Sequence, residues 1–164
     1  MAARLGSALA LTTLTLVACE PAFPPPPGFV EACYGGDFRK HLVGTRAKRL
    51  IVVKASESDW PRLASDLRHA GEQLGLEVFD TSVTLDHVHT IAIHLCSKNG
   101  IWISADQRKW LGEHAAAPNA HRDFTAVEIS VNPYKDRDFD WLRVSDALAK
   151  ILERSWVITV SSPP

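Results

Sequence analysis

Between Val88 and Ala105, apolar residues alternate with small or polar ones on both sides of the tripeptide Lys98-Asn99-Gly100. Asn-Gly is a strong short-range signal for a β-hairpin, because both residues tolerate the positive φ that tight reversals need. A hairpin fixes register, and register decides which side chains share a face. A two-residue loop pairs Lys98 with Ile101 and sets Cys96 opposite Ile103. A three-residue loop pairs Ser97 with Ile101 and puts Ile91, Ile93, Leu95, Ile101 and Ile103 on one face. The second choice makes a continuous apolar surface. It predicts a type I turn with Gly100 in the left-handed region, forming a G1 bulge. A chain with such a hairpin must cover one strongly apolar sheet face.

The flanking segments supply the cover. Leu50 to Ala55 is a short run rich in β-branched residues and reads as an internal strand. Ser56-Glu57-Ser58-Asp59 offers helix N-caps, and Pro61 suits a first turn. Trp60, Leu63, Leu67, Ala70 and Leu74 recur at three and four, which is one helical face, and Gly75 is the expected stop. Leu76 to Asp80 reads as a strand, completing a βαβ unit. Thr125 to Val131 alternates as a half-buried strand that Asn132-Pro133 ends. A second helix runs from about Asp138 or Asp140 to Arg154, acidic at its start and basic at its end. Its apolar stripe takes Trp141, Val144, Leu148 and Ile151, with Leu142, Ala149 and Leu152 alongside. Trp156 to Val160 is a last strand. The order predicts an α+β fold: a single two-layer sandwich with a mixed sheet of five or six strands and two helices on one face. The sheet's other face carries Thr90, Ala92, His94, Cys96, Trp102, Ser104 and Ala126, neither fully polar nor a second core.

The N-terminus reads MAARLGSALALTTLTLVAC, uncharged from Leu5 to Ala18. That run suits a signal-peptide apolar region and is shorter than the roughly 20 residues that span a bilayer. Its last four residues, Leu16-Val17-Ala18-Cys19, resemble the lipobox of bacterial lipoprotein signal peptides. The resemblance implies cleavage before Cys19, diacylglyceryl attachment at its sulfur and usually acylation of the new amine. Glu20 replaces the aspartate that often marks inner-membrane retention, so the resemblance favours the periplasmic face of the outer membrane. Residues 1–18 are then a signal peptide and 19–29 a lipidated tether. Residues 30–164 form one periplasmic domain. Pro24 to Pro27 favours polyproline II, so the tether reaches up to about 30 Å at ~3.1 Å per residue.

With Cys19 taken by lipid, Cys33 and Cys96 remain. A pair in an oxidising compartment reads as a disulfide, the alternative being two separate thiols. Neither has a neighbour at metal-ligand spacing. A Cys33–Cys96 bond would draw the segment with Tyr34-Gly35-Gly36 across the milder sheet face, over Trp102.

A net charge of −1 over 164 residues, moving to −2 once Arg4 is removed, leaves no electrostatic footprint for nucleic acid. Hydrophobic content of 46% and charged content of 23% fit an ordinary globular domain. No G-x-S-x-G, phosphate-cradling loop or dinucleotide fingerprint occurs, and no cofactor is expected. Ser104, His94 and Asp106 lie close in sequence, but a triad is a matter of geometry. His87 and His89 point the same way on a strand and are candidates for metal ligation. The connection from Asp106 to Asp123 begins with what reads as a helical turn. With Trp102 it offers a binding surface of Trp102, Trp110, His114, His121 and Arg122. The leading expectation is a lipid-anchored, non-catalytic module that binds an envelope or periplasmic protein, as assembly accessories and immunity proteins do. The alternatives are a metal or small-ligand carrier and a cell-envelope hydrolase.

Overall fold

The alternation around Asn99-Gly100 becomes the front of a seven-stranded sheet. The computed structural model describes residues 26–34, 47–85, 88–97, 101–110, 125–133 and 140–162. In chain order these give α1 (Phe29–Tyr34), β1 (Arg49–Lys54), a 3₁₀ turn (Glu57–Asp59), α2 (Trp60–Gln73), β2 (Glu77–Asp80) and β3 (Thr84–Leu85). Then follow β4 (Val88–Ser97), β5 (Ile101–Trp110), β6 (Ala126–Pro133), α3 (Trp141–Leu152) and β7 (Ile158–Ser161). The sheet order is β2-β4-β5-β6-β1-β7, with β3 pairing β4 beyond β2. The fold is α+β, as the element order predicts.

Register follows the three-residue-loop choice: Ser97 pairs with Ile101, Leu95 with Ile103 and Cys96 with Trp102. The turn itself, 98–100, lies outside the described residues. Ile91, Ile93, Leu95, Ile101 and Ile103 all sit on the front face and are buried. Ile51, Val53, Val127, Ile129 and Val131 extend the same surface across β1 and β6. Trp60, Leu63, Leu67 and Ala70 of α2, and Val144, Leu148, Ala149 and Leu152 of α3, close over it. Each fully buried aliphatic side chain of this kind contributes about 1.5–3 kcal/mol by leaving water.

Local signals explain the helix ends. The Ser56 backbone N–H donates to Asp59 at 3.0 Å, so a capped 3₁₀ turn leads into α2. Gly75, at φ +66°, ends α2, and the following Leu76 N–H returns to the Gly71 carbonyl at 2.9 Å. Such a left-handed terminator is glycine's common role. Gly71 has a different reason to be glycine. A Cβ there would lie 2.5 Å from Val78 Cγ2 and 3.0 Å from Leu95 Cδ2, so its absence lets α2 approach the sheet. Asp140 caps α3 by accepting from the Arg143 N–H at 3.1 Å. At the far corner the Trp156 indole donates to Asp66 at 2.9 Å, and Arg62 stacks 4.1 Å over its ring.

Four details differ from the sequence reading. The sheet is not mixed, since every pairing is antiparallel, and the short β3 on the β4 edge brings it to seven strands rather than five or six. β1 and β2 do run in the same direction, as a βαβ crossover demands, but β4, β5 and β6 fill the space between them. The crossover through α3 is likewise split, with β1 between β6 and β7. Second, Asp106 to Trp110 is not a helical turn. It continues β5, because β4 offers a ladder partner as far as Val88. Third, Leu142 leaves the α3 stripe and is 51% exposed, being about 100° round the helix from its neighbour Trp141. Fourth, Phe29, placed at the end of the tether, belongs to the domain and is buried.

The back face has its own small core. The Cys33–Cys96 disulfide is present, with 4.9 Å between Cα atoms, and closes a sequence separation of 63 residues. It sets α1 across β4 and β5 on the face opposite the two long helices. Phe29, Ala32, Cys33 and Cys96 are buried there, with Val30, Phe79 and Trp102 packed against them. This is the placement over Trp102 that the disulfide pairing implied for the Cys33 segment. Gly35 and Gly36 lie outside the described residues.

Candidate functional site

Two polar clusters stand out, one at an open end of the front face and one beneath α1. The first gathers Glu57, His89 and Lys109. His89 of β4 and Lys109 of β5 are cross-strand partners and point to the front. The 3₁₀ turn before α2 delivers Glu57 between them. Its carboxylate meets His89 Nδ1 at 2.9 Å and accepts from Lys109 Nζ with the other oxygen. The His89 hydrogen bond first, and Lys109 second, hold the Glu57 carboxyl below the usual carboxylate range. Trp60, the first residue of α2, tilts against the imidazole with ring centroids 5.1 Å apart. Its indole N–H is buried without a hydrogen-bond partner among the described residues, a state that costs about 1–3 kcal/mol. The three charged or titratable side chains remain about one-third exposed, so the network is open to water and salt.

The second cluster centres on His94, whose side chain faces the back, away from His89. Thr81 Oγ1 lies 3.0 Å from its Nε2, and the Trp102 indole donates to its Nδ1 at 3.4 Å. Phe29 of α1 meets the imidazole edge to face at 4.9 Å, and Phe79 of β2 meets Phe29 at 5.4 Å. Burial pushes His94 down to about 4, against the opposing pull of the Asp80 carboxylate. Asp80 itself is held below its usual value. Burial works against that, but hydrogen bonds from Arg68 and Ser82 outweigh it.

The residues singled out from sequence fall in different places. Trp102 lies on β5, half-buried at the margin of the α1 core. Trp110 is the last residue of β5. His114, His121 and Arg122 lie outside the described residues, as do Cys19 and His87. His89 is placed, and its Nδ1 is engaged by Glu57. Ser104 pairs across the ladder with His94, but both ring nitrogens of His94 are directed at Thr81 and Trp102, so this is not a nucleophile–base pair. Among the described residues no group of three His, Cys, Asp or Glu side chains converges for a metal ion. Glu57, Lys109, Phe29, Phe79 and Thr81 carry the two clusters and were not legible as site residues. Glu57 and Lys109 meet only once the hairpin register and the α2 entry turn are both fixed. Only Glu57's place beside a helix cap was visible in sequence.

Comparison with known proteins adds no assignment: no family model, curated protein or solved structure matches the chain.

Proposed function

We propose that this chain is a lipid-anchored envelope protein whose single domain binds a periplasmic protein without catalysing a reaction. The reading starts from Leu16-Val17-Ala18-Cys19, which implies a lipid on Cys19 and delivery to the periplasmic face of the outer membrane. Among the described residues, no helix is long and apolar enough to cross a membrane. The observation that carries the binding reading is how the chemically capable side chains are used. Cys33 and Cys96 are joined to one another, His94 is bonded through both ring nitrogens inside the back-face core, and Glu57 is shared between His89 and Lys109. These groups hold elements together. The proposed contact surface is Trp110 with His114, His121 and Arg122, beside Trp102.

One observation favours the carrier as a second reading. A histidine ligand to a metal usually directs its other ring nitrogen to a carboxylate, and His89 Nδ1 does so toward Glu57. The two readings separate in one experiment. The mature protein is purified from cross-linked cells, and both its captured partner and its metal content are measured. Binding predicts a reproducible partner whose capture falls in Trp110→Ala and Arg122→Ala. A carrier predicts a stoichiometric metal that is lost in His87→Ala and His89→Ala, and no partner. Mass spectrometry of the membrane fraction tests the anchor. An acylated Cys19 peptide is expected, and soluble unmodified protein from wild-type cells would contradict it.

A further inference from the structure

Hydrogen-bond polarity beneath α1 fixes the protonation state of His94. The Trp102 indole N–H only donates, so Nδ1 of His94 must accept. The single ring proton then sits on Nε2 and donates to Thr81 Oγ1. The Thr81 hydroxyl in turn donates to the Ala92 carbonyl at 3.3 Å. Each step has one donor and one acceptor only while the imidazole is neutral. A second ring proton would set N–H against N–H at Trp102. It would also place a charge in a largely buried setting, where desolvation disfavours it.

The short helix above this ring is held at two ends by different means. Cys33, near its C-terminal end, is covalently joined to Cys96 of β4. Phe29, at its N-terminal end, is held only by non-covalent contacts, including His94 and Phe79. Gly28 precedes it at φ +81°, a conformation that larger residues rarely adopt. The charged groups around the ring do not replace this control. On β2, Asp80 is engaged by Arg68 at 2.7 Å and by the Ser82 N–H at 2.9 Å, and Glu77 stands exposed at the strand's start. On α1, Glu31 is exposed. On β5, Asp106 shares the back face two ladder positions beyond Ser104, the residue paired with His94.

We propose that α1 is an acid-released flap: neutral His94 keeps the Phe29 end docked, and protonation of His94 frees that end while the disulfide retains the Cys33 end. Because burial depresses the imidazole to about 4, the flap is closed at neutral pH and opens only on acidification. Its N-terminal end adjoins the proline-rich segment, so opening changes how that segment leaves the domain.

The test is a pH titration by NMR of the mature, disulfide-bonded protein. The Phe29–His94 contact and the hydrogen-bonded Trp102 indole N–H signal should be lost together as His94 takes up its proton. The Ile91–Leu95 and Leu63–Leu67 amides should stay protected through that step. In His94→Gln, which cannot titrate, the Phe29 contact should persist to the lowest pH reached. Wild-type protein that keeps the Phe29 contact after His94 is protonated would overturn the proposal. So would release that is unchanged in His94→Gln. Should that variant not fold, the wild-type titration still decides: one step shared by His94 and Phe29 supports the flap, and separate steps refute it.

Discussion

The two faces of the sheet solve the same problem with different materials. On the front, two helices of 14 and 12 residues cover a core made mainly of aliphatic side chains, with Ser145 of α3 also buried. On the back, a six-residue helix covers a histidine, two aromatic rings and a disulfide. A long amphipathic helix is held by the area it buries. A six-residue helix is too short to be stable alone, since nucleation is costly and few hydrogen bonds follow it. It therefore depends on a covalent link and on a polar network that works in one protonation state. The front is strong because it is redundant, and the back is conditional because each part is needed.

The contrast breaks first at the front. Leu148→Ala removes a fully buried side chain from between α3 and the sheet. It should destabilise the fold by about 2–5 kcal/mol, read as a lower denaturation midpoint with no specific change at α1. Loss of the disulfide comes next. Cys33→Ala and Cys96→Ala should each cost about 2–4 kcal/mol, by equal amounts, because each removes the same link. Unequal losses in denaturant titrations would mean that one side chain matters for packing rather than for the bond.

Acid should weaken the back and spare the front. His94 has a folded value of about 4 against an ordinary 6.5, so the unfolded chain binds the proton more readily. Stability is therefore full above about pH 6.5 and is lost as pH falls from there toward 4. The loss between about pH 7 and 4.5 should reach about 2–3 kcal/mol, and His94→Gln should remove that slope. The smallest effect is at a helix end. Asp140→Ala deletes the acceptor of the Arg143 N–H and should cost about 1 kcal/mol, seen as fraying of the first turn of α3 in amide exchange.

The same contrast explains what the sequence reveals. Front-face residues announce themselves by period: Ile91, Ile93 and Leu95 alternate, and Leu63, Leu67 and Ala70 recur at three and four. Register at the hairpin is legible because only one loop length aligns Ile101 and Ile103 with them. The crossover direction of β1-α2-β2 is legible too, but its width is not. Three strands lie between β1 and β2, and that choice rests on pairings distant in sequence. The back face has no period. Phe29 sits beside four prolines and reads as tether, yet Cys33 and Cys96 place it over His94. The Glu57–His89–Lys109 cluster joins residues 32 and 52 positions apart, a spacing that local pattern does not encode.

The most direct test of this division of labour is an NMR comparison of wild-type protein with the Cys33→Ala/Cys96→Ala double variant near neutral pH. With the link removed, signals of Phe29–Cys33 should move toward random-coil positions, and those of Phe79, His94 and Trp102 should shift with them. The methyl signals of Ile93, Ile129 and Leu148 should stay in place. An α1 that keeps its native signals without the disulfide, or front-face methyls that move as far as the back-face rings, would contradict the division of the sheet into a self-sufficient face and a conditional one.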